Sequence, residues 1–357
     1  MPGAHRAAFH PLRVAALDEL TEDALAVTFE VPEELRADYA FTHGQHLSIR
    51  GGDDVRRSYS LCTPPSSGIL RIGVKRLPGG AFSEGVLDRL RVGDTLEVMT
   101  PAGRFTTVLD PEARKQYVAV AAGSGITPVL SIMAAVLEGE PSSAVTLVYA
   151  NRTHRSVMFL DEVHDLKDRF PDRFQIVHVL SRETQDVELF SGRLDGARLR
   201  AILDALAPAT EVDDWFLCGP QQMVEELRSA IVDAGGDAGR IHTELFHADP
   251  VRRAPVAALT ETEDGAARVT IRLDGRTSEL ALRPDDVPVL EAALRVRPDL
   301  PFACRGGVCG TCRARVVEGS VAMDANYALE PEEVQRGYVL TCQSHPTSGR
   351  VVLDYDA

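Results

Sequence analysis

The chain has 357 residues, enough for two or three domains, and its 44% hydrophobic and 25% charged residues are ordinary for a globular protein. A net charge of −15 argues against nucleic-acid binding, which requires a basic surface. The acidity is compatible with a patch that binds a partner protein, or it only keeps the protein soluble. The sequence holds no run of about 18 apolar residues that would span a membrane. Residues 1–6 begin no secretory signal, so we expect a cytoplasmic protein.

Residues 1–110 predict a small antiparallel β-barrel. Short runs of alternating apolar residues are separated by Gly and Pro about every ten residues, as in such barrels. The expected strands are 11–16, 24–31, 46–50, 58–61, 69–75 and 95–99. A helix is predicted over 83–90, after a loop that residues 78–80 open.

Residues 111–248 predict an open parallel sheet with helices on both faces. The run 117–122 is continuously apolar, which indicates a strand buried on both sides. Strands at 145–149, 174–180, 214–218 and 241–246 alternate with helices at 127–137, 159–168, 196–206 and 222–234. Such alternation is typical of an α/β domain.

Residues 249–267 lose this periodicity and are interpreted as a linker to a third, α+β domain at 268–357. Its first strands, 269–273 and 278–282, flank Asp274-Gly275, a hairpin turn signal. A helix at 289–295 and strands at 313–317, 337–342 and 350–355 follow.

Four of the six cysteines follow the C-x4-C-x2-C…C spacing of a plant-type [2Fe–2S] site: Cys304, Cys309, Cys312 and Cys342. Glycines between them allow a tight backbone whose N–H groups point at the thiolates. Zinc is the alternative, but zinc sites usually contain paired C-x2-C units, and the spacing supplies one such unit. The pattern therefore favours an iron–sulfur cluster.

The segment Gly123-Ser-Gly-Ile-Thr-Pro128 lies between a predicted strand and a helix, where a phosphate can approach the helix N-terminus. It departs from G-x-G-x-x-G, because Pro128 replaces the third glycine. By itself the segment is weak evidence of a nucleotide site, and a plain strand-to-helix turn is the alternative.

Two further motifs are ambiguous when they are taken singly. Arg57 can grip a diphosphate and Tyr59, on the same strand face, can stack on a planar ring, but an ordinary strand with a surface arginine explains both. Cys218-Gly219-Pro220 ends a strand of the parallel sheet, where ligands bind, although a buried structural cysteine is equally compatible.

In their order along the chain, these motifs resemble the ferredoxin-NADP reductase superfamily over essentially the whole sequence. The motifs are Arg57-x-Tyr59-Ser60, Gly80-x-x-Ser83, Gly123-x-Gly125-Ile-Thr-Pro128 and Cys218-Gly-Pro220. The C-terminal cysteines narrow the resemblance to oxygenase reductases.

Within that group the chain is similar to the reductase subunits of phenylacetyl-CoA epoxidase complexes. The stretches that carry this similarity are Gly44-Gln-His, Asn151-Arg-Thr, Ser156-Val-Met-Phe159, Gly192-Arg-Leu-Asp195 and residues 322–331. Relatives with the same domain order serve steroid hydroxylases and acyl-CoA desaturases.

The resemblance implies an FAD site on the barrel. Arg57 would hold the pyrophosphate, Tyr59 would stack on the isoalloxazine ring, and Ser60 would hydrogen-bond near flavin N5. Gly80 and Ser83 would belong to a loop that caps the pyrophosphate. Phe246 would cover the flavin ring until nicotinamide displaces it.

The resemblance also implies a nicotinamide dinucleotide site, with Tyr59, Ser60 and Cys218 as the catalytic residues. The residues expected at the dinucleotide are Gly123, Gly125, Thr127, Pro128, Cys218, Gly219 and Pro220. Cys218 would lie by nicotinamide C4, with Thr127 close to the flavin.

The resemblance favours NADPH as the electron donor. Ser181 and Arg182 resemble the pair that holds a 2′-phosphate, which suits Arg better than a bare ribose does. Arg152 can assist. NADH remains the alternative, because Glu183 follows immediately.

The implied function is electron transfer from NADPH through FAD and the [2Fe–2S] cluster to a di-iron oxygenase, with neither nucleic acid nor membrane as a partner. An acidic docking face near the cluster is expected from Glu318, Asp324, Glu330, Glu332 and Glu333, although an ordinary solvated surface would also explain them. The alternatives are a steroid hydroxylase or desaturase reductase and, in a different class, a non-enzymatic zinc or redox-sensing module.

Overall fold

The computed structural model describes residues 8–51, 56–77, 83, 88–246 and 265–357. The chain divides into two compact units, Met1–Phe246 and His247–Ala357. Gly80, half of the helix predicted over 83–90 and most of the predicted linker 249–267 lie outside the described residues. In the part that is described, no helix has the length and apolar character needed to cross a bilayer.

The first unit begins with an antiparallel barrel. Its strands are β1 (Phe9–Thr21), β2 (Ala24–Glu30), β3 (His46–Arg50), β4 (Arg56–Ser60), β5 (Leu70–Lys75) and β6 (Thr95–Met99). They are ordered β4-β3-β6-β1-β2-β5. A bridge between Leu61 and Ile72 joins the two outer strands, so the sheet closes around a buried apolar core.

A five-stranded parallel sheet follows in the same unit. Its elements are β7 (Gln116–Ala122), α1 (Ile126–Gly139), β8 (Ala144–Asn151), α2 (Leu160–Arg169), β9 (Phe174–Leu180), α3 (Gly196–Leu206), β10 (Asp214–Gly219), α4 (Gln221–Asp233) and β11 (Ile241–Leu245). The strand order is β11-β10-β7-β8-β9. The order reverses between β7 and β10, and the crevice at the carboxyl ends of such a pair is where open α/β sheets bind ligands.

The barrel and the parallel sheet are packed against each other through β5. Arg71 on β5 forms an ion pair with Glu162 of α2, at 2.9 Å. A Cβ atom on Gly73 would lie 2.7 Å from both the Phe159 ring and the Thr127 methyl group, so a glycine is needed for this approach. Phe159 itself has a φ of 56°, a costly conformation for an aromatic residue. One hydrophobic core accordingly contains side chains from both the barrel and the sheet.

The second unit is an α+β domain. Its elements are β12 (Ala267–Leu273), β13 (Arg276–Leu282), α5 (Val289–Ala293), β14 (Arg313–Glu318), β15 (Val321–Met323), α6 (Pro331–Gln335), β16 (Tyr338–Leu340), β17 (Ser344–Pro346) and β18 (Arg350–Asp354). The main sheet has the order β13-β12-β18-β14-β16, with β12 and β18 parallel and the other pairs antiparallel, as in a β-grasp ferredoxin.

The predicted fold class is confirmed in all three parts. The Asp274-Gly275 signal is a two-residue turn in which both residues have positive φ, and the Asp356 carboxylate accepts both of their N–H groups. The sequence did not predict β15, α6 or β17, because elements of three to five residues are too short to show a periodic pattern.

Candidate cofactor-binding sites

The barrel and the parallel sheet meet at a serine–glutamate hydrogen bond. Ser60 ends β4, and its hydroxyl donates to Oε2 of Glu244 on β11 at 2.9 Å. Burial raises the pKa of Glu244 to about 7, and the Ser60 hydrogen bond opposes this rise. The carboxyl group can therefore hold or release a proton near neutral pH.

Cys218 lies beside this carboxyl group. It pairs in register with Glu244 on the neighbouring strand, and it is fully buried. Burial, followed by the charge of Glu244, raises the pKa of the Cys218 thiol, so the thiol stays neutral at physiological pH. The structure thus brings two predicted residues, Ser60 and Cys218, to one carboxyl group that the sequence did not single out.

The glycine-rich segment forms a tight turn over the same edge of the sheet. A Cβ atom on Gly125 would lie 2.2 Å from the carbonyl oxygen of Cys218, so a side chain would separate the turn from β10. Gly123 has a φ of 53°, and its carbonyl accepts a hydrogen bond from the Tyr149 hydroxyl at 3.0 Å. Glycine therefore meets both a close approach and a left-handed backbone here.

The first turn of α1 follows directly. Thr127 is buried and donates its hydroxyl to the carbonyl of Ser124 at 3.0 Å, and Pro128 is buried beside it. Among the described residues no side chain caps the N-terminus of α1, where the helix dipole favours an anion, and the N–H of Ile126 bonds to carbonyl oxygens of the preceding turn. These features fit a bound dinucleotide phosphate.

Two of the residues predicted for the flavin, Arg57 and Tyr59, lie on β4 of the barrel. Arg57 is exposed, and its guanidinium donates to the carbonyl of Arg56 at 2.8 Å. Tyr59 is half-buried on the same face of β4, and burial raises its pKa far above the usual range, so the phenol is neutral. Phe246 directly follows β11 and is 42% exposed. An exposed guanidinium and a half-buried ring suit an FAD pyrophosphate and isoalloxazine.

Ser83 has a structural contact in addition to its expected role. Its buried hydroxyl accepts the N–H of Leu77 at 3.1 Å, which anchors the end of β5. Its predicted partner Gly80 cannot be compared, because it lies outside the described residues.

The predicted 2′-phosphate residues follow adjacent strands. The N–H of Ser181 donates to the carbonyl of Asn151, and that of Arg182 to the carbonyl of Arg152, at 2.9 and 2.8 Å. Both arginines are exposed, and among the residues that are described neither guanidinium pairs with a carboxylate. Glu183, the acidic neighbour, accepts the N–H of His154 at 3.0 Å.

The four cysteines of the second unit lie as two hydrogen-bonded pairs. The Cys309 thiol donates to Cys304, which, with backbone N–H groups and against the effect of burial, lowers the pKa of Cys304 to about 6. Cys312 donates to Cys342 and likewise lowers its pKa. Within the described ranges, no three His, Cys, Asp or Glu side chains converge on a single ion site. Two cysteine pairs suit the two irons of a [2Fe–2S] cluster, each of which takes two protein ligands.

Hydrogen bonds surround the cysteine pairs. The N–H of Gly306 points at Cys304 Sγ at 3.4 Å. The Thr341 hydroxyl donates to the carbonyl of Cys312 at 2.9 Å and accepts from the Tyr355 hydroxyl at 2.8 Å. Iron–sulfur sites require groups that donate hydrogen bonds to the thiolates and a backbone that holds the cysteine ligands in place.

The prediction of an acidic docking face is wrong for one of its residues, Glu333. Glu333 is buried, forms an ion pair with Arg313 at 3.1 Å and completes a capping box with Glu330 at the start of α6. Asp324 accepts a hydrogen bond from His345 at 2.9 Å, and Glu318 forms an exposed ion pair with Arg350 at 3.3 Å. The carboxylate of Glu333 is therefore used inside the domain rather than at its surface.

Family comparisons assign three domains to the chain. Residues 11–107 match an oxidoreductase FAD-binding domain, 119–229 an oxidoreductase NAD-binding domain, and 271–347 a 2Fe-2S iron-sulfur cluster binding domain. The chain is thus an NAD(P)H-dependent oxidoreductase with FAD and a [2Fe–2S] cluster as cofactors, and these matches favour iron–sulfur over zinc.

Comparisons over the full length specify the family. The chain is 43% identical to a subunit of the 1,2-phenylacetyl-CoA epoxidase of Escherichia coli K12, over 98% of both chains. It is 34% identical to the ferredoxin reductase component of the 3-ketosteroid-9-alpha-monooxygenase of Rhodococcus rhodochrous, over 96% of both. The chain belongs to the oxygenase reductases of the ferredoxin-NADP reductase superfamily that carry a C-terminal [2Fe–2S] domain.

Solved structures share the fold. A phthalate dioxygenase reductase aligns with a TM-score of 0.58 and 24% identity over 97% of this chain and 98% of its own. An intact type IV self-sufficient cytochrome P450 monooxygenase aligns with a TM-score of 0.70 and 24% identity; this chain spans 41% of that one.

Proposed function

We propose that this protein delivers electrons from NADPH to a di-iron oxygenase that epoxidises the ring of phenylacetyl-CoA. The observation that carries the proposal is the 43% identity to an epoxidase subunit over 98% of both chains, against 34% for the steroid monooxygenase component. When bound, FAD accepts two electrons from the nicotinamide and the [2Fe–2S] cluster passes them on singly.

The barrel residues would orient the flavin. Arg57 holds the pyrophosphate, Tyr59 stacks on the isoalloxazine ring, and Phe246 covers it in the absence of nicotinamide. Ser60 would hydrogen-bond near flavin N5 through its hydroxyl oxygen, and its O–H donates to Glu244 at 2.9 Å, a nearby carboxyl group that can hold a proton.

The sheet edge would orient the nicotinamide dinucleotide. The turn from Gly123 to Pro128 holds its phosphates, and Cys218, with Gly219 and Pro220, lines the nicotinamide pocket. Because the Cys218 thiol is neutral and buried, it packs against the ring without attacking it. In the second unit, Cys304 with Cys309 and Cys312 with Cys342 would hold the two irons of the cluster.

NADPH rather than NADH is proposed because Arg152 and Arg182 end neighbouring strands with exposed guanidinium groups. Arg182→Ala should raise the KM for NADPH about tenfold and leave that for NADH unchanged, since only the phosphate contact is lost. Arg228→Ala, an exposed arginine on α4, is the matched control. Equal effects of Arg182→Ala on both nucleotides would contradict the assignment.

The partner is tested by reconstitution. Purified protein is mixed with the oxygenase subunits of a phenylacetyl-CoA epoxidase or, separately, with the oxygenase of a 3-ketosteroid monooxygenase. NADPH-dependent formation of product is then measured in each mixture. We expect product with the epoxidase. Turnover of the steroid hydroxylase beside an idle epoxidase would show that the proposed partner is wrong.

A further inference from the structure

The side-chain amide of Gln343 lies between the cysteine loop and the last cysteine. Its Nε2 is 2.9 Å from the carbonyl oxygen of Arg305, 3.0 Å from that of Cys342 and 3.7 Å from Cys342 Sγ. All three neighbours are acceptors, so the amide must turn its N–H₂ end towards them. The two N–H groups of Nε2 thus donate to two carbonyl oxygens and one sulfur atom.

This amide also closes the loop that contains the first cysteine pair. Arg305 follows Cys304 and has a φ of 55°, which is unfavourable for a residue with a side chain. Its guanidinium is held by Glu291 at 3.2 Å and lies over the Phe302 ring at 4.7 Å, while Gln343 holds its carbonyl. Contacts to the side chain and to the carbonyl group of Arg305 therefore both fix the backbone next to Cys304.

The neighbouring glycine leaves little room for a different arrangement. A Cβ atom on Gly307 would lie 3.1 Å from Cγ of Gln343, so the aliphatic part of the side chain packs directly on the loop. The residue is half-buried, which lowers the local screening of its N–H dipole.

We propose that Gln343 is a positioning residue that joins the two cysteine pairs and raises the reduction potential of the cluster through its N–H groups. Reduction adds one negative charge to the cluster and its thiolates. The N–H group that Cys342 Sγ shares with a carbonyl oxygen, 3.7 Å from Nε2 to the sulfur, stabilises that charge, so the reduced form is favoured while the amide is present. The inference rests on the proposed binding of the cluster by the four cysteines.

The test is an EPR-monitored redox titration of the purified, cluster-loaded protein. Gln343→Met keeps the size of the side chain but removes both donors. The equilibrium constant for reduction should fall about threefold, which is about 30 mV at 59 mV per tenfold change for one electron. Gln335→Met is the matched control, because Gln335 is exposed at the end of α6. Bleaching of the flavin by NADPH should be unchanged in both variants.

A second substitution tests whether a donor at this position raises the reduction potential of the cluster. Gln343→Lys places an ammonium donor near the same three acceptors, so its potential should equal or exceed that of the wild type. An unchanged potential in Gln343→Met, or a lowered one in Gln343→Lys, overturns the inference. If Gln343→Met does not assemble a cluster, the Lys variant alone decides. Wild-type protein without iron–sulfur absorption would instead refute the cluster-binding proposal.

Discussion

Glu244 offers a quantitative test of the junction between the barrel and the parallel sheet. Burial raises its pKa from the ordinary value of 4.5 to about 7. A carboxyl group with a raised pKa binds its proton more tightly in the folded state than in the unfolded state. Its contribution to stability is therefore present below pH 4.5 and is lost as the pH rises through 7.

The size of the effect follows from the shift. A change of about 2.5 pKa units, at about 1.4 kcal/mol per unit, corresponds to about 3 kcal/mol. Because the residue keeps part of its surface exposed, we take this value as an upper limit. In Glu244→Gln the amide oxygen still accepts from Ser60, but the titration is removed, so the variant should gain up to this amount relative to wild type at pH 8.5 and little at pH 4.

Chemical unfolding of the flavin-free protein measures the difference. The sequence has one tryptophan, Trp215, which is fully buried in β10, so its fluorescence reports the first unit alone. Glu225→Gln on the exposed surface of α4 is the control for loss of a carboxylate. Parallel pH profiles for the wild type and Glu244→Gln would show that the environment of the carboxyl group has been misread.

Three further substitutions test other contacts. Gly125→Ala should destabilise the protein by at least about 2 kcal/mol in urea unfolding, because its Cβ has no room, whereas Gly239→Ala, with its nearest atom at 3.4 Å, should have little effect. Tyr355→Phe removes a partly buried donor and should cost the second unit about 1 kcal/mol, unlike Tyr338→Phe; equal losses would argue against the hydrogen-bond chain. Cys309→Ser should abolish transfer to one-electron protein acceptors but spare NADPH–ferricyanide activity; loss of both without unfolding would refute the modular scheme.

The parts of the molecule that the sequence predicted are those with a local signal. The barrel and the parallel strands follow from apolar periodicity over five to ten residues. The four cysteines follow from their spacing, since the first three lie within a single loop. Apart from Cys342, which lies 30 positions after Cys312, the residues that carry these signals are close together in the chain.

Contacts between distant residues had no such signal. Ser60 and Glu244 are separated by 184 positions, and nothing in the final strand marks Glu244 as buried. Glu333 was expected at the surface because carboxylates are usually exposed, but Arg313 of β14 and the cap of α6 enclose it. Gln343 is an ordinary polar residue until the fold brings Arg305 to its amide.

The shared core of the first unit has a consequence for recombination between reductases. Side chains from both sides of residue 110 pack in that core, whereas the core of the second unit is built from residues 267–353. A crossover at residue 110 would combine the barrel of one protein with the parallel sheet of another, and these two surfaces have not evolved together. A crossover between residues 246 and 265 would leave both cores intact. We therefore expect that the second unit can be exchanged between reductases without disturbing the core of the first unit.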